Sequence, residues 1–60
     1  MSLQRRIEQY LKRTGTTPSF LGRMALNDSN FVFDLRKGRK AGETTVRKVH
    51  RWLDRQGARR

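Results

Sequence analysis

The 60-residue sequence has no cysteine, one histidine, one proline and no long run of apolar residues. Without cysteine the chain forms neither a disulfide nor a thiolate metal site, which fits a reducing compartment. A lone histidine does not nucleate a zinc site, and the short apolar segments argue against a membrane span. The N-terminus also lacks the apolar segment of a secretory signal. We therefore expect no metal, no cofactor, no membrane partner and a cytoplasmic location.

Acidic residues are also scarce, at five against fifteen lysines and arginines. The five carboxylates are scattered, and the sequence has no nucleophile constellation and no glycine-rich phosphate-binding motif. It therefore predicts that the protein is not an enzyme, and no small-molecule site is evident. The formal net charge of +10 instead creates a positive field that attracts polyanions, nucleic acid above all. The basic residues are spread over several segments, which argues against binding along an anionic membrane.

Apolar residues recur at helical spacing in four segments. The pattern predicts an all-α fold of four helices, with room for a short fifth turn, in a single domain over residues 1–57. The predicted helices lie at about residues 2–13, 17–25, 29–37 and 44–56. Residues 58–60 have little to bury, and we expect them to form a mobile basic tail.

Residues that favour helix ends separate these segments. Gly15, Asn27 and Gly38 tolerate the left-handed backbone that closes a helix, and Pro18 suits a first helical position. The predicted N-caps, whose side chains can accept a backbone N–H, are Ser2, Thr17, Asp28 and Thr44. Gly57 is expected to follow the last helix.

Each predicted helix contributes apolar residues to the core. The expected inward residues are Leu3, Ile7, Tyr10, Leu11, Phe20, Leu21, Met24, Ala25, Phe31, Val32, Leu35, Val46, Val49, Trp52 and Leu53. Trp52 is predicted to pack against the first helix, with a dimer contact as the alternative. His50 is interpreted as a packing or surface residue.

The second and third predicted helices are joined by only a few residues, and their apolar stripes face each other. This arrangement is helix-turn-helix geometry. The stretch T-P-S-F-L-G-R-M-A-L-N-D-S-N-F-V-F-D-L-R-K-G, Thr17 to Gly38, resembles the lambda-repressor-like, or xenobiotic-response-element, helix-turn-helix proteins, which include phage repressors and Cro. A basic loop and one more amphipathic helix follow it. Residues that fit the family's core and closing glycine are Leu21, Ala25, Val32, Leu35 and Gly38.

Three residues depart from the family pattern. Gly22 stands where Ala is usual, which keeps a close helix contact but costs up to about 1 kcal/mol of helix propensity. Leu26 stands where the turn often has Gly, so the turn strain is assigned to Asn27. Arg36 stands where many members carry Glu, which removes a structural acid and adds a cation beside the expected phosphate path.

The resemblance implies that Ser29, Asn30, Phe33 and Asp34 reach base edges in the major groove. Asn30 can bond adenine N6 and N7, or alternatively its own backbone. Phe33 can lie against a thymine methyl, beside the fourth helix or against a protein. Asp34 can accept from cytosine N4, but an intrahelical pair with Lys37 is the simpler interpretation. For Ser29 both interpretations stay open.

Phosphate contacts are expected from the rim of this surface. Thr17 and the neighbouring amides begin the second helix, whose dipole favours an anion. The basic run adds Arg36, Lys37, Arg39 and Lys40. These contacts supply affinity rather than sequence choice.

The leading hypothesis is a nucleoid-associated, repressor-like transcriptional regulator that inserts the Ser29–Lys37 helix into the major groove of double-stranded DNA. One short helix reads few base pairs, so we expect a homodimer on DNA or a protein partner. The alternatives are a basic RNA- or ribonucleoprotein-binding structural protein, and an antitoxin or adaptor that uses the same fold. Most aromatic residues fall at core spacing, which argues against base stacking on single strands.

Overall fold

A computed structural model describes residues 2–57, all four of whose regular elements are helices. These are α1 (Leu3–Thr14), α2 (Pro18–Leu26), α3 (Phe31–Arg36) and α4 (Glu43–Gly57). The helices α1 and α2 each pack against both α3 and α4. The all-α fold with four helices is thus confirmed, and the predicted mobile tail at 58–60 lies outside the described residues.

The first two helices begin and end as their local sequence predicts. Ser2 Oγ accepts a hydrogen bond from the Arg5 amide at 3.1 Å, and Gly15 closes α1 with a φ of 74°. Thr17 Oγ1 accepts from the Phe20 amide at 3.2 Å, with Pro18 at the first turn. Short-range side-chain bonds therefore fix the bounds of α1 and α2 to within a residue.

The third helix is shorter than predicted. Asp28 was expected to cap a helix beginning at Ser29, but its carboxylate accepts from the Asn30 amide at 3.0 Å and its carbonyl accepts from Phe31 at 3.1 Å. Aspartate bonding to an amide two residues on stabilises a turn. Ser29 and Asn30 therefore belong to the turn, and α3 begins at Phe31. It ends at Arg36, so Lys37 follows the helix instead of belonging to it.

The fourth helix begins at Glu43, so the prediction that Thr44 caps it is wrong. The Val46 amide donates to the Gly42 carbonyl at 2.9 Å, so the helical hydrogen bonds begin at Gly42, two residues before Thr44. At the other end Gly57 is the last helical residue rather than the first one beyond the helix. No helix among residues 2–57 has both the length and the apolar character needed to cross a membrane.

The buried core is drawn from all four helices. Its members are Ile7, Leu11, Leu21, Phe31, Val32, Leu35, Val49 and Leu53. Phe20 and Met24 were expected there, but their exposed fractions are 52% and 55%. Successive helical residues are rotated by about 100°, so Leu21 and Ala25 already occupy the inward face of α2 and leave Phe20 and Met24 outside.

Gly22 makes the closest contact between α2 and the turn that precedes α3. It is buried, and a Cβ atom at this position would lie 2.3 Å from the Asp28 carbonyl oxygen. The Gly22 carbonyl also accepts from the Asp28 amide at 3.1 Å. The absence of a side chain therefore allows α2 to lie directly on the turn backbone, which sets the position of α3.

Candidate nucleic-acid interface

The turn between α2 and α3 is held in one backbone conformation. Asn27 adopts a φ of 58°, as the sequence predicts, and its amide donates to the Arg23 carbonyl at 2.8 Å. Asparagine is one of the few residues that occupy this left-handed region at low cost. Together with Gly22 beneath the turn, Asn27 fixes the direction in which α3 leaves α2.

The four predicted base-contacting residues lie on this turn and on α3. Ser29, Asn30 and Phe33 are exposed, whereas Asp34 is half-buried. The Asn30 side chain makes no capping bond to α3. Phe33 is 39% exposed, and the Arg36 guanidinium carbon lies 5.8 Å from its ring centroid. This surface therefore presents a hydroxyl, an amide and an aromatic ring to solvent.

Asp34 pairs with Arg39, so the prediction of a pair with Lys37 is wrong. Its Oδ2 accepts from Arg39 Nη1 at 2.8 Å, and Asp28 lies 3.9 Å from the same nitrogen. Gly38, with a φ of 102°, redirects the chain after α3, and the Arg39 amide donates to the Asp34 carbonyl at 3.0 Å. This reversal places Arg39 over the two carboxylates.

Arg36 forms a two-pronged ion pair with Glu8 on α1. Arg36 Nε donates to one carboxylate oxygen at 2.7 Å and Nη2 donates to the other at 2.8 Å. These hydrogen bonds lower the pKa of Glu8 and raise the pKa of Arg36. Sequence reasoning missed this pair because its members are 28 residues apart. The cation predicted to contact phosphate thus also ties α3 to α1.

The remaining predicted phosphate-contacting residues are placed differently from Arg36 and Arg39. Thr17 lies at the start of α2 with its hydroxyl oxygen engaged by the Phe20 amide. Lys37 and Lys40 are exposed and form no ion pair within residues 2–57. The basic run therefore combines two arginines held by acids with two lysines whose charges are uncompensated.

Every acidic side chain in the described residues forms an ion pair. Each of the five carboxylates pairs with an arginine: Glu8 with Arg36, Asp28 and Asp34 with Arg39, Glu43 with Arg47, and Asp54 with Arg6. The described cations outside these pairs are Arg5, Lys12, Arg13, Arg23, Lys37, Lys40, Lys48, Arg51 and Arg55. The positive charge is thus uncompensated on several faces rather than on one.

The contact of α1 with α4 includes Trp52 and His50, each of which had two interpretations from the sequence. Tyr10 and Trp52 meet edge to face with ring centroids 5.5 Å apart, which confirms that Trp52 packs against α1. Arg6 contacts His50 Nδ1 at 2.8 Å and donates to Asp54 at 2.5 Å. His50 is therefore a packing residue in a polar contact between two helices.

The α2–α3 surface offers amide and hydroxyl groups, one aromatic ring and exposed cations. Residues 2–57 contain no cluster of three or more histidine, aspartate or glutamate side chains able to hold a metal ion. No family model, curated protein or solved structure matches the chain. Its function must therefore be inferred from its own residues and their geometry.

Proposed function

We propose that the protein binds double-stranded DNA sequence-specifically, as a repressor-like transcriptional regulator of the lambda-repressor type. In this proposal α2, the turn and α3 form a helix-turn-helix unit, and the segment from Ser29 to Lys37 enters the major groove. The observation that carries it is the exposure of Ser29, Asn30 and Phe33 on the turn and helix, followed along the chain by the exposed Lys37 and Lys40.

Rigid placement of α3 supports base recognition. A side chain discriminates between base pairs only if it is held close to its productive position. Two contacts and one backbone conformation position α3. Gly22 packs against the turn backbone, Arg36 pairs with Glu8, and Asn27 adopts the left-handed conformation. These contacts come from α1 and α2, so the recognition surface is supported by the rest of the fold.

We assign base recognition chiefly to Asn30 and Phe33. The Asn30 amide is exposed and can make the two-bond contact with adenine that a major-groove edge offers. Phe33 can pack on a thymine methyl, and Ser29 can bond to several bases. Asp34 already accepts a hydrogen bond from Arg39 through Oδ2 and is half-buried, which makes it the weakest contributor.

Phosphate contacts come from Lys37 and Lys40 first, because their charges are uncompensated. Arg36 donates Nε and Nη2 to Glu8, which leaves its other N–H groups for a phosphate. Arg39 is placed similarly by Asp34. At the start of α2, Thr17 and the amides near it add a helix terminus that favours anions.

Recognition of a useful site requires a second reading unit. The helix α3 has six residues and covers few base pairs. We therefore propose that two copies bind adjacent half-sites, or that one copy binds beside a different protein. The spacing of the half-sites would then report which arrangement is used.

A second candidate function is binding of single-stranded RNA. The observation that favours it is the exposure of Phe20 and Phe33, because aromatic rings at a surface can stack on unpaired bases. This function would use the same cations but would need no groove-reading helix.

Selection from random pools separates these two functions. The full chain is used to select in parallel from random duplex DNA and from random single-stranded RNA. DNA recognition predicts an enriched duplex motif, whose information content falls at a defined position when Asn30→Ala is used instead. An enriched RNA motif with no duplex motif would establish the second function and overturn the first.

A further inference from the structure

A groove runs between α2 and α4, on a different helix pair from the proposed DNA surface. Its volume is about 230 Å³, and it is lined by Met24, Ala25, Lys48, Arg51, Trp52 and Arg55. The helix α2 contributes the first two of these residues and α4 contributes the others. The groove therefore lies along the contact of α2 with α4, whereas the proposed base-reading residues lie on the turn and on α3.

One edge of the groove is a stripe of positive charge. Lys48, Arg51 and Arg55 are spaced by three and four residues, so they share one face of α4 and span about 10 Å along it. All three are exposed, and none forms an ion pair within residues 2–57. Like charges this close on one helix destabilise it slightly. Their charges are therefore available to a partner.

The remaining lining residues, Met24, Ala25 and Trp52, are apolar or aromatic. Met24 is more than half exposed although its neighbours Leu21 and Ala25 face the core. Trp52 is half-buried and rests on Tyr10, which leaves part of the indole against the groove. A flexible thioether beside a fixed aromatic ring is a surface that accommodates apolar side chains of different shapes.

We infer that this groove binds an acidic amphipathic helix of another protein. Carboxylates spaced by three or four residues on such a helix would match Lys48, Arg51 and Arg55. A large apolar side chain on the same face would cover Met24 and Trp52, as in other helix-in-groove interfaces.

The chemistry of the groove distinguishes this occupant from the alternatives. A second copy of the chain is a poor fit because all five of its acidic side chains are already paired with arginines. A nucleic-acid backbone would match the cations, but it gains nothing from the apolar side chains of Met24 and Trp52 in the lining. Only a chain with both acidic and apolar side chains complements both the cations and the apolar residues of the groove.

Trp52 gives a direct signal for the test, because it is the only tryptophan in the chain. The full-length protein is titrated with a synthetic helical peptide that carries glutamates and leucines on one face, and Trp52 fluorescence is followed. A scrambled peptide of the same composition, with these residues on different faces, is the first control. We expect saturable binding of the first peptide with a change in Trp52 emission, and weaker binding of the second.

Two matched charge variants separate the groove from net charge. The double variant R51E/R55E alters the groove, and R5E/K12E makes the same charge change on exposed residues of α1. We expect R51E/R55E to lose about tenfold or more in peptide affinity and R5E/K12E to lose about threefold or less. Met24→Gln, which removes only apolar contact, should weaken the ordered peptide but not the scrambled one. Circular dichroism verifies that each variant is folded.

Three outcomes would overturn the inference. Equal weakening by both charge variants would mean that only net charge matters. Saturable peptide binding with no change in Trp52 emission would place the peptide elsewhere. Displacement of the peptide by duplex DNA, together with loss of duplex binding in R51E/R55E but not in R5E/K12E, would assign the groove to phosphate. The inference does not depend on the proposed base-reading surface, since Asn30→Ala should leave peptide binding unchanged.

Discussion

The contact of α1 with α4 and the surface of α2 with α3 use similar residues in different ways. Between α1 and α4, Tyr10 and Trp52 meet edge to face, and Arg6 bridges His50 and Asp54. On the other two helices, Phe20, Met24 and Phe33 are the large apolar side chains that stay exposed within residues 2–57. Within the α1–α4 contact these aromatic and polar groups are partnered by one another, whereas the three apolar side chains on α2 and α3 stay open to solvent.

This difference separates residues that stabilise the fold from residues available to a partner. Single exposed apolar residues are common in small proteins, so Phe20 or Phe33 alone would mean little. Among residues 2–57 the exposed large apolar side chains are confined to α2 and α3, and the same helices are joined through the close contact at Gly22 and the left-handed Asn27. A rigid joint that presents unsatisfied groups is the arrangement that recognition requires.

The largest expected effect is a loss of stability in Gly22→Ala, which would disrupt the contact between α2 and the turn before α3. The added Cβ would lie 2.3 Å from the Asp28 carbonyl oxygen, a backbone atom that cannot rotate away. We expect a loss of about 1 to 3 kcal/mol in the free energy of unfolding, despite the better helix propensity of Ala. Urea denaturation followed by circular dichroism measures it. Gly57→Ala on α4, where a Cβ meets nothing within 4 Å, is the matched control and should be neutral or slightly stabilising. Equal stability of the two variants would show that α2 and the turn are not in close contact.

The second effect concerns recognition by the turn. Asn30→Ala should cost about 1 to 3 kcal/mol of binding free energy on the selected duplex and little on an unrelated duplex. Gln9→Ala, an exposed amide on α1, should change neither. Fluorescence anisotropy with both duplexes makes the comparison. A similar loss on both duplexes would indicate that Asn30 does not contact bases.

The third effect concerns affinity. Removal of the two uncompensated lysines in Lys37→Ala/Lys40→Ala should weaken binding to all duplexes alike and reduce the slope of log affinity against log salt by about 2. The control Arg5→Ala/Lys12→Ala removes the same charge from α1 and should change the slope less. Equal changes would mean that DNA samples the whole positive surface.

The smallest effect is on the pH dependence of stability through Glu8. Because Arg36 lowers the pKa of folded Glu8 below its ordinary value of 4.5, the pair stabilises the fold fully above that value. The contribution is lost as the pH falls through the lowered pKa. Glu8→Gln should therefore slightly reduce the dependence of the free energy of unfolding on pH in this range. The effect is small because the pair is partly exposed. Urea midpoints measured between neutral and acidic pH test it, and an unchanged profile would contradict it.

Local sequence signals predicted the helix ends that depend on neighbouring residues. Ser2, Thr17, Gly15 and Asn27 act within three or four residues of themselves, and the structure places all four as their chemistry requires. Asp28 shows where this reasoning fails, because its side chain can cap a helix or close a turn, and in the structure it closes a turn whose backbone lies against Gly22.

Contacts between distant segments could not be predicted in this way. The partner of Arg36 lies on another helix, and the partner of Asp34 depends on the reversal at Gly38. For Asp34 the spacing favoured Lys37, but Arg39 has the better geometry. Helical spacing also could not distinguish Leu21 and Ala25 from Phe20 and Met24, since both pairs are four residues apart and only tertiary packing selects between them.

The most direct test of the central claim is a map of backbone amide shifts when duplex DNA is added to isotopically labelled protein. The account predicts that the largest changes fall on the start of α2, on the turn and α3, and on the basic run at 36–40. The residues of α1 that contact α4 should change little. Changes centred on α1 and α4, or spread evenly over all four helices, would contradict recognition by the turn and α3.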